Sequence, residues 1–173
     1  MLKKLLLLTT AVLAASSSAA FAIAAPYVGA GLGIQNVRGY NGLIGNVFGG
    51  YGATVGQDQT YYLGGEVFAN LASVPLSGKQ SNRITYGLGA SVIPGVMLNN
   101  NTMAYARVGV EASRYGKSNT TNTGGQLGLG LQTRLTQNWD VRGEYVYTGM
   151  GVINHFTTVQ NNRFNVGFVY KLD

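Results

Sequence analysis

The chain has 173 residues, and only 10% of them are charged, whereas a soluble domain carries about 25%. It contains 26 glycines and 11 tyrosines but no cysteine, a composition that argues against a water-soluble domain, a disulfide framework and a lipid-modified cysteine. The formal net charge of +6 falls by two, to +4, once Lys3 and Lys4 are removed with the N-terminal segment.

Residues 1–24 have the pattern of a cleavable export signal. A positively charged start is followed by an apolar run over 5–15, and small residues then offer cleavage positions after Ala22 or Ala24. The alternative is a membrane anchor, which would need about 20 apolar residues, and this run is shorter. We therefore predict a signal peptide followed by one domain over 25–173.

The rest of the chain alternates apolar and polar residues with the period of two that is typical of β-strands. The last segment is the clearest, because Phe164, Val166 and Phe168 alternate with Arg163 and Asn165. The second alternates least regularly, with two large apolar residues on its polar face. Eight strands are predicted, over residues 27–35, 43–53, 61–72, 83–92, 103–113, 126–135, 139–148 and 163–172.

The distribution of charge between the two faces of these strands indicates what surrounds them. Nearly every charge shares a face with the glycines, and the opposite face is apolar. A soluble barrel of the lipocalin kind also alternates, but its charged face would then be about half glycine, with too little charge to keep the protein dispersed. An apolar outside and a polar inside, behind an export signal, predict an all-β fold: an eight-stranded antiparallel up-and-down transmembrane β-barrel of the outer membrane.

Short connections between the predicted strands alternate with longer ones, and this orients the barrel. We expect 54–60, 98–102 and 136–138 to face the periplasm, and 36–42, 73–82, 115–125 and 149–162 to face the exterior. Aromatic side chains are then predicted to form two girdles at the membrane interfaces. The periplasmic girdle comprises Tyr51, Tyr61, Trp139 and Tyr170, and the outer girdle comprises Tyr86, Tyr147 and Phe164.

A group of charged side chains is predicted to point into the barrel: Glu66, Arg107, Glu111, Arg134, Asp140, Arg142 and Glu144. The lumen of an eight-stranded barrel is only wide enough to be filled by side chains. We therefore interpret these residues as a structural network of paired charges that plugs the lumen. The alternative is a narrow pore whose ion pairs rearrange.

Catalysis, metal binding and cofactor binding are not predicted. The interior carboxylates are expected to stay ionised beside arginines rather than to be tuned for proton transfer. The single histidine, His155, has no serine or carboxylate within ten residues. Gly29, Gly31 and Gly33 alternate along a strand rather than opening a helix, so they are not a dinucleotide fingerprint. A lipid A-modifying enzyme stays open as a third function.

A set of cations is predicted to lie in or beside the external connections, which contain no acidic residue: Arg38, Lys79, Arg83, Arg114, Lys117 and Arg163. The outer leaflet is rich in anionic lipopolysaccharide, and each cation near such a surface contributes about 1 kcal/mol. We therefore expect these residues to contact lipopolysaccharide. Nucleic-acid binding is not expected at this location.

Five segments, 27–33, 63–66, 105–109, 138–145 and 164–170, resemble the small eight-stranded OmpA-type barrels, including the OmpX and opacity-protein relatives. The resemblance implies an outer-membrane protein with a structural or surface-interaction role, like that of an adhesin or antigen. It also implies interior charged positions, which match Glu66, Arg107, Arg142 and Glu144. Such barrels are recognised by the barrel assembly machinery through a C-terminal strand that usually ends on an aromatic residue, whereas this chain ends Leu172-Asp173. We expect a monomer; a host or surface ligand is not identified.

Overall fold

The computed structural model describes residues 24–37, 40–56, 58–71, 74–75, 84–115, 121–152 and 155–172. They form the strand segments β1 (Ala25–Val37), β2 (Tyr40–Val55), β3 (Tyr61–Asn70), β4 (Val74–Pro75), β5 (Ile84–Met97), β6 (Thr102–Tyr115), β7 (Thr121–Arg134), β8 (Trp139–Val152) and β9 (His155–Lys171). Within these ranges, no helix is long and apolar enough to cross a membrane. All but the last residue of the predicted signal peptide lies outside them, so that peptide stays a prediction.

The strands close into one antiparallel barrel. Consecutive long strands pair with each other, and β1 pairs with both β2 and β9, so the first strand joins the last. β4 pairs with β2 just beyond the β2–β3 ladder and so prolongs β3, which leaves eight strands around the barrel. The predicted eight-stranded antiparallel barrel is confirmed. Closure gives each wall strand a partner on both sides, as backbone groups need in hydrocarbon.

The two ends of the barrel differ. The short connections between β2 and β3, β5 and β6, and β7 and β8 lie at one end, together with the start of β1 and the end of β9. We call this the turn end, and the opposite end the loop end. The turn end corresponds to the predicted periplasmic side.

The outer face of the barrel is apolar and the lumen is polar. Leu32 and Leu129, on the outer face, are 75% and 70% exposed. So much apolar surface is unfavourable in water but suits the hydrocarbon of a bilayer. Ile44 and Phe48, which interrupt the alternation of the second predicted strand, point into the lumen and are buried. Ala53 is also buried, although it lies opposite the outward-facing Leu63.

Several strands are longer than predicted at the loop end. β8 runs to Val152 and β9 begins at His155, so most of the predicted external connection 149–162 is a paired ribbon. β7 likewise begins at Thr121 rather than at residue 126. These extensions are rich in Thr and Asn, so the backbone ladder continues where hydrophobic alternation has stopped.

β5 continues past Pro94, whereas the predicted strand ended at residue 92. Proline has no N–H to donate to a ladder. It keeps its place opposite β3, while the ladder to β6 omits two positions and resumes in the same register with Gly95 opposite Tyr105. β5 therefore reaches Met97, which packs on a small apolar cluster in the lumen.

Two glycines allow phenylalanine rings to fill the lumen. The ring of Phe48 lies against Gly29 and the ring of Phe68 lies against Gly89. A Cβ atom at either glycine would collide with that ring and also with a backbone carbonyl oxygen of the neighbouring strand. The inward rings and the glycines are therefore complementary.

Candidate functional site

Two carboxylates and two guanidinium groups meet in the middle of the lumen. We call Glu66, Arg107, Arg142 and Glu144 the central ion cluster. They come from β3, β6 and β8, and each is at most 5% exposed. Because all four side chains occupy lumen-facing positions of their strands, the alternation that makes the outside apolar also brings these charges together.

Arg107 bridges the two carboxylates of the cluster. Its Nη2 atom lies 2.6 Å from Glu66 Oε1 and 3.0 Å from Glu144 Oε2. Its Nε atom donates to the same Glu144 oxygen at 3.1 Å, and Nη1 donates to Ser91 Oγ at 3.2 Å. Each nitrogen of this buried guanidinium therefore lies within 3.2 Å of an oxygen atom, and these contacts offset its desolvation.

Arg142 holds the other oxygen of Glu66. Its Nη1 atom lies 2.6 Å from Glu66 Oε2, while Nε and Nη2 donate to Gln132 Oε1 at 2.9 and 2.8 Å. The guanidinium also lies over aromatic rings, with its central carbon 4.7 Å from the ring centroid of Phe48 and 5.2 Å from that of Tyr105. Cation–π attraction is strongest at such desolvated sites.

Two tyrosine hydroxyl groups complete the coordination of the carboxylates. Tyr27 Oη donates to Glu66 Oε2 at 3.1 Å, and Tyr105 Oη donates to Glu144 Oε2 at 2.9 Å. The rings of these tyrosines occupy the lumen around Arg142. The cluster is therefore a packed and hydrogen-bonded partition across the barrel.

The network continues toward the turn end through the predicted Asp140 and through Gln132 and Lys171, which the predicted interior group did not include. Gln132 Nε2 donates to Asp140 Oδ2 at 2.6 Å, and Lys171 Nζ lies 2.9 Å from the same oxygen. Asp140 is placed inside as predicted. Arg134, predicted to join the interior network, is instead exposed at the end of β7 and makes no ion pair among the described residues. It is the last residue of its strand, so its long side chain leaves the packed lumen.

A second buried ion pair lies toward the loop end. Glu111 Oε2 is 3.4 Å from Arg163 Nη2, and Glu111 Oε1 accepts hydrogen bonds from Asn70 at 2.9 Å and Ser113 at 2.6 Å. Arg163 was predicted to lie at the external rim, but it is 3% exposed and faces the lumen. The prediction was wrong because β9 extends eight residues further toward the loop end, which places Arg163 well inside the barrel.

One predicted rim cation lies on the outer face of the described strands. Arg114 Nη1 donates to Tyr86 Oη at 3.2 Å, and its guanidinium carbon lies 5.9 Å from the centroid of the Tyr86 ring. The two residues face each other at the loop end of β5 and β6. The remaining predicted rim cations, Arg38, Lys79, Arg83 and Lys117, lie outside the described residues.

The predicted girdle residues all lie on the outer face. Tyr51, Tyr61 and Trp139 are exposed near the turn end, where the Trp139 ring lies 5.0 Å from that of the half-buried Tyr170. Exposed side chains nearer the loop end are Tyr86, Tyr147 and Phe164. Aromatic rings at two depths are typical of proteins that cross a bilayer.

The buried carboxylates of the lumen are all paired with cations, and this limits the chemistry that the lumen can support. Each of the four buried carboxylates lies within 3.4 Å of a cationic nitrogen. Within the described ranges, no group of three or more His, Cys, Asp or Glu side chains is arranged to hold a metal ion. The arrangement is suited to cross-linking the barrel wall through its interior.

The family model for the outer membrane protein beta-barrel domain matches residues 5–171. No curated protein matches the chain.

Solved structures with the same fold include Neisserial surface protein A, with 18% identity, a TM-score of 0.57, and coverage of 86% of this chain and 97% of that one. The attachment invasion locus protein Ail of Yersinia pestis has 14% identity, a TM-score of 0.54 and the same coverages, and it has also been crystallised with the heparin analogue sucrose octasulfate. The N-terminal barrel of Pseudomonas aeruginosa OprF has 11% identity and a TM-score of 0.51, covering 86% of this chain and 100% of that one. At such identities the likeness shows the fold.

Proposed function

Because the chain belongs to the outer-membrane protein β-barrel family and is located in the outer membrane, we propose that it has a structural or surface-interaction role there, comparable to that of an adhesin or surface antigen. In this proposal it is not an enzyme and its lumen does not conduct ions. The observation that carries the proposal is the central ion cluster, which crosses the lumen with paired charges.

The energetics of the cluster favour a closed lumen over a narrow pore. A conducting path would have to separate Arg107 or Arg142 from the carboxylates between them. Breaking a buried ion pair and leaving one charge uncompensated costs about 3 to 5 kcal/mol. An open state about 4 kcal/mol above the closed one would be populated about once in a thousand. The cluster therefore acts as a partition, and interactions with partners occur at the surfaces.

Single-channel current recordings in planar bilayers test whether the lumen conducts ions. The purified protein without its signal peptide is expected to give no stable, ion-selective open level, because the paired charges close the lumen. Glu66→Ala, which removes the carboxylate shared by both arginines, is expected to raise the frequency of brief openings and so to show that inserted barrels are being recorded. A stable open level in the unmodified protein would instead support the narrow pore.

We also propose that the loop end faces the exterior and contacts lipopolysaccharide. Short turns on the periplasmic side are the rule for outer-membrane barrels. The Tyr86–Arg114 pair supports contact with anionic headgroups, because it presents a cation and an aromatic ring together on the outer face of the loop end. The bound sucrose octasulfate of Ail is a polyanion, and the proposed ligand shares that charge.

We further propose that the chain is exported by a cleaved signal peptide, is recognised by the barrel assembly machinery and is a monomer. A cleaved signal peptide over 1–24 would deliver the chain for export. β9, with the apolar outer face of Phe164, Val166 and Phe168, would then be the strand that the barrel assembly machinery recognises. Closure of β9 on β1 leaves neither strand with an open edge for a second copy, which supports a monomer.

Arg114→Gln tests the contact with lipopolysaccharide. The variant is expected to bind purified lipopolysaccharide about fivefold more weakly, because one cation at an anionic surface contributes about 1 kcal/mol. Arg134→Gln is the matched control, since it removes the same charge at the turn end. Equal affinities for the two variants and the unmodified protein would contradict the contact. The lipid A recovered from these incubations is expected to have unchanged mass, and a changed mass would support the lipid A-modifying enzyme.

A further inference from the structure

A cavity of about 570 Å³ opens at the turn end, between the central ion cluster and the short connections. Its size falls within the range of small-molecule sites. It lies on the periplasmic side of the partition, away from the surface proposed to meet lipopolysaccharide. We call it the turn-end cavity.

The turn-end cavity is lined by both apolar and polar residues. Tyr62, Met97, Met103 and Val169 give one part of it apolar surface. Within the lumen, Met103 packs with Met97 and Tyr62 in one apolar cluster. Gln132, Arg134, Asp140 and Lys171 give another part polar and charged surface. Polar and charged residues make up most of the lining and the apolar cluster lies among them, so the cavity suits a small amphipathic ligand better than a purely apolar one.

Four charged residues line the turn-end cavity, and two of them, Arg134 and Asp58, form no ion pair with any described residue. Lys171 and Asp140 are paired at 2.9 Å, so they neutralise each other. Arg134 is exposed and forms no ion pair with any described residue. Asp58, in the connection between β2 and β3, is also exposed at the rim, and it does not form an ion pair with Arg134. The unpaired guanidinium of Arg134 can form two parallel hydrogen bonds with a carboxylate.

We propose that the turn-end cavity binds a small monocarboxylate that carries a short apolar group. The carboxylate accepts hydrogen bonds from Arg134, and the apolar group lies against Met97 and Met103. Two periplasmic sources share this chemistry: the carboxyl end of an acyl chain and the free C-terminal end of a peptide with an apolar last residue.

Methionine methyl groups give a direct readout of occupancy. The chain has four methionines, and removal of the predicted signal peptide leaves Met97, Met103 and Met150. The first two line the cavity, whereas Met150 lies near the loop end of β8 and serves as an internal control. The full barrel without its signal peptide, labelled with 13C at the methionine methyl groups, is placed in lipid nanodiscs and titrated to about 10 mM, well above a millimolar Kd.

Three probes distinguish an acyl chain from a peptide end as the source of the carboxylate. Hexanoate represents the acyl source, N-acetyl-leucine represents the peptide source, and N-acetyl-leucinamide is the uncharged control. Saturable shifts of the Met97 and Met103 signals are expected with at least one of the two carboxylates, and the tighter one identifies the source. No saturable shift is expected with the amide, or at Met150 with any probe. Absence of shifts with both carboxylates, or equal shifts with the amide, would overturn the proposal.

Arg134→Gln tests the contact with the carboxylate. The variant is expected to weaken the binding of that probe by about fivefold or more, because one charge-assisted hydrogen bond is lost. Arg114→Gln removes a cation at the opposite end and is expected to leave the affinity unchanged. Unchanged affinity in Arg134→Gln, measured on a barrel whose methionine spectrum is otherwise native, would also contradict the proposal.

Discussion

Glu66→Ala is expected to lower the free energy of unfolding by about 3 to 5 kcal/mol, the cost of leaving buried charges without their partner. The Glu66 carboxylate lies 2.6 Å from both Arg107 and Arg142 and accepts a hydrogen bond from Tyr27. Its removal leaves Arg142 with no carboxylate partner, while Arg107 keeps Glu144. Urea titration of the barrel folded in phosphatidylcholine vesicles measures the change.

Two further variants test whether the loss of unfolding free energy comes from the ion pairs. Asp58→Ala removes an exposed carboxylate at the turn end and is expected to leave the free energy of unfolding unchanged. Combining Glu66→Ala with Arg142→Met is expected to cost less than the sum of the single changes, because the second change removes the charge that the first one stranded. Strict additivity, or a stable Glu66→Ala barrel, would mean that the cluster contributes little.

Leu129→Arg is expected to lower the free energy of unfolding by about 2 to 4 kcal/mol, the penalty for a cation on the lipid face near the bilayer midplane. Leu129 is 70% exposed and lies in the middle of the apolar outer residues of β7, between Leu127 and Leu131. The same vesicle titration measures the loss.

Thr54→Arg is the matched control for the lipid-face variant. Thr54 lines the turn-end cavity, which has room for a hydrated guanidinium, so the variant is expected to unfold at nearly the same urea concentration as the unmodified protein. Gln132→Arg, another substitution on the lumen side, is not a suitable control. Gln132 Oε1 accepts two hydrogen bonds from Arg142, and a cation there would repel it. Equal penalties for Leu129→Arg and Thr54→Arg would reverse the assignment of the faces.

The fold was predictable because each barrel strand separates two environments. Residues that face lipid must be apolar and residues that face the lumen need not be, so alternation alone identified the wall strands and the side on which Glu66 and Arg142 lie. The sequence also resembled a family of such barrels, and the family match confirms that resemblance. Strand ends were less predictable, because the Thr- and Asn-rich pairs at the loop end have no apolar face to mark them.

Which charged side chains contact each other depends on their positions along the barrel axis. The alternation of apolar and polar residues does not predict those positions. Glu66 and Arg142 are 76 residues apart in sequence and meet only through the register of the closed barrel. Arg163 was predicted on the correct face of its strand but at the wrong position along the barrel axis. Lys171 shares the parity of Arg163 and was recognisable as a lumen residue, although its pairing with Asp140 was not. Met97 was missed because the predicted strand ended before Pro94.

Refolding from urea tests most directly whether hydrocarbon surrounds this barrel and ions fill its axis. The protein without its signal peptide is diluted into detergent micelles or into plain buffer, and its state is followed by circular dichroism and size-exclusion chromatography. We expect a folded β-sheet protein in micelles and aggregation in buffer, because many large apolar side chains of the wall strands are exposed on the outer face. A monodisperse, folded monomer in plain buffer would contradict the membrane assignment of the faces.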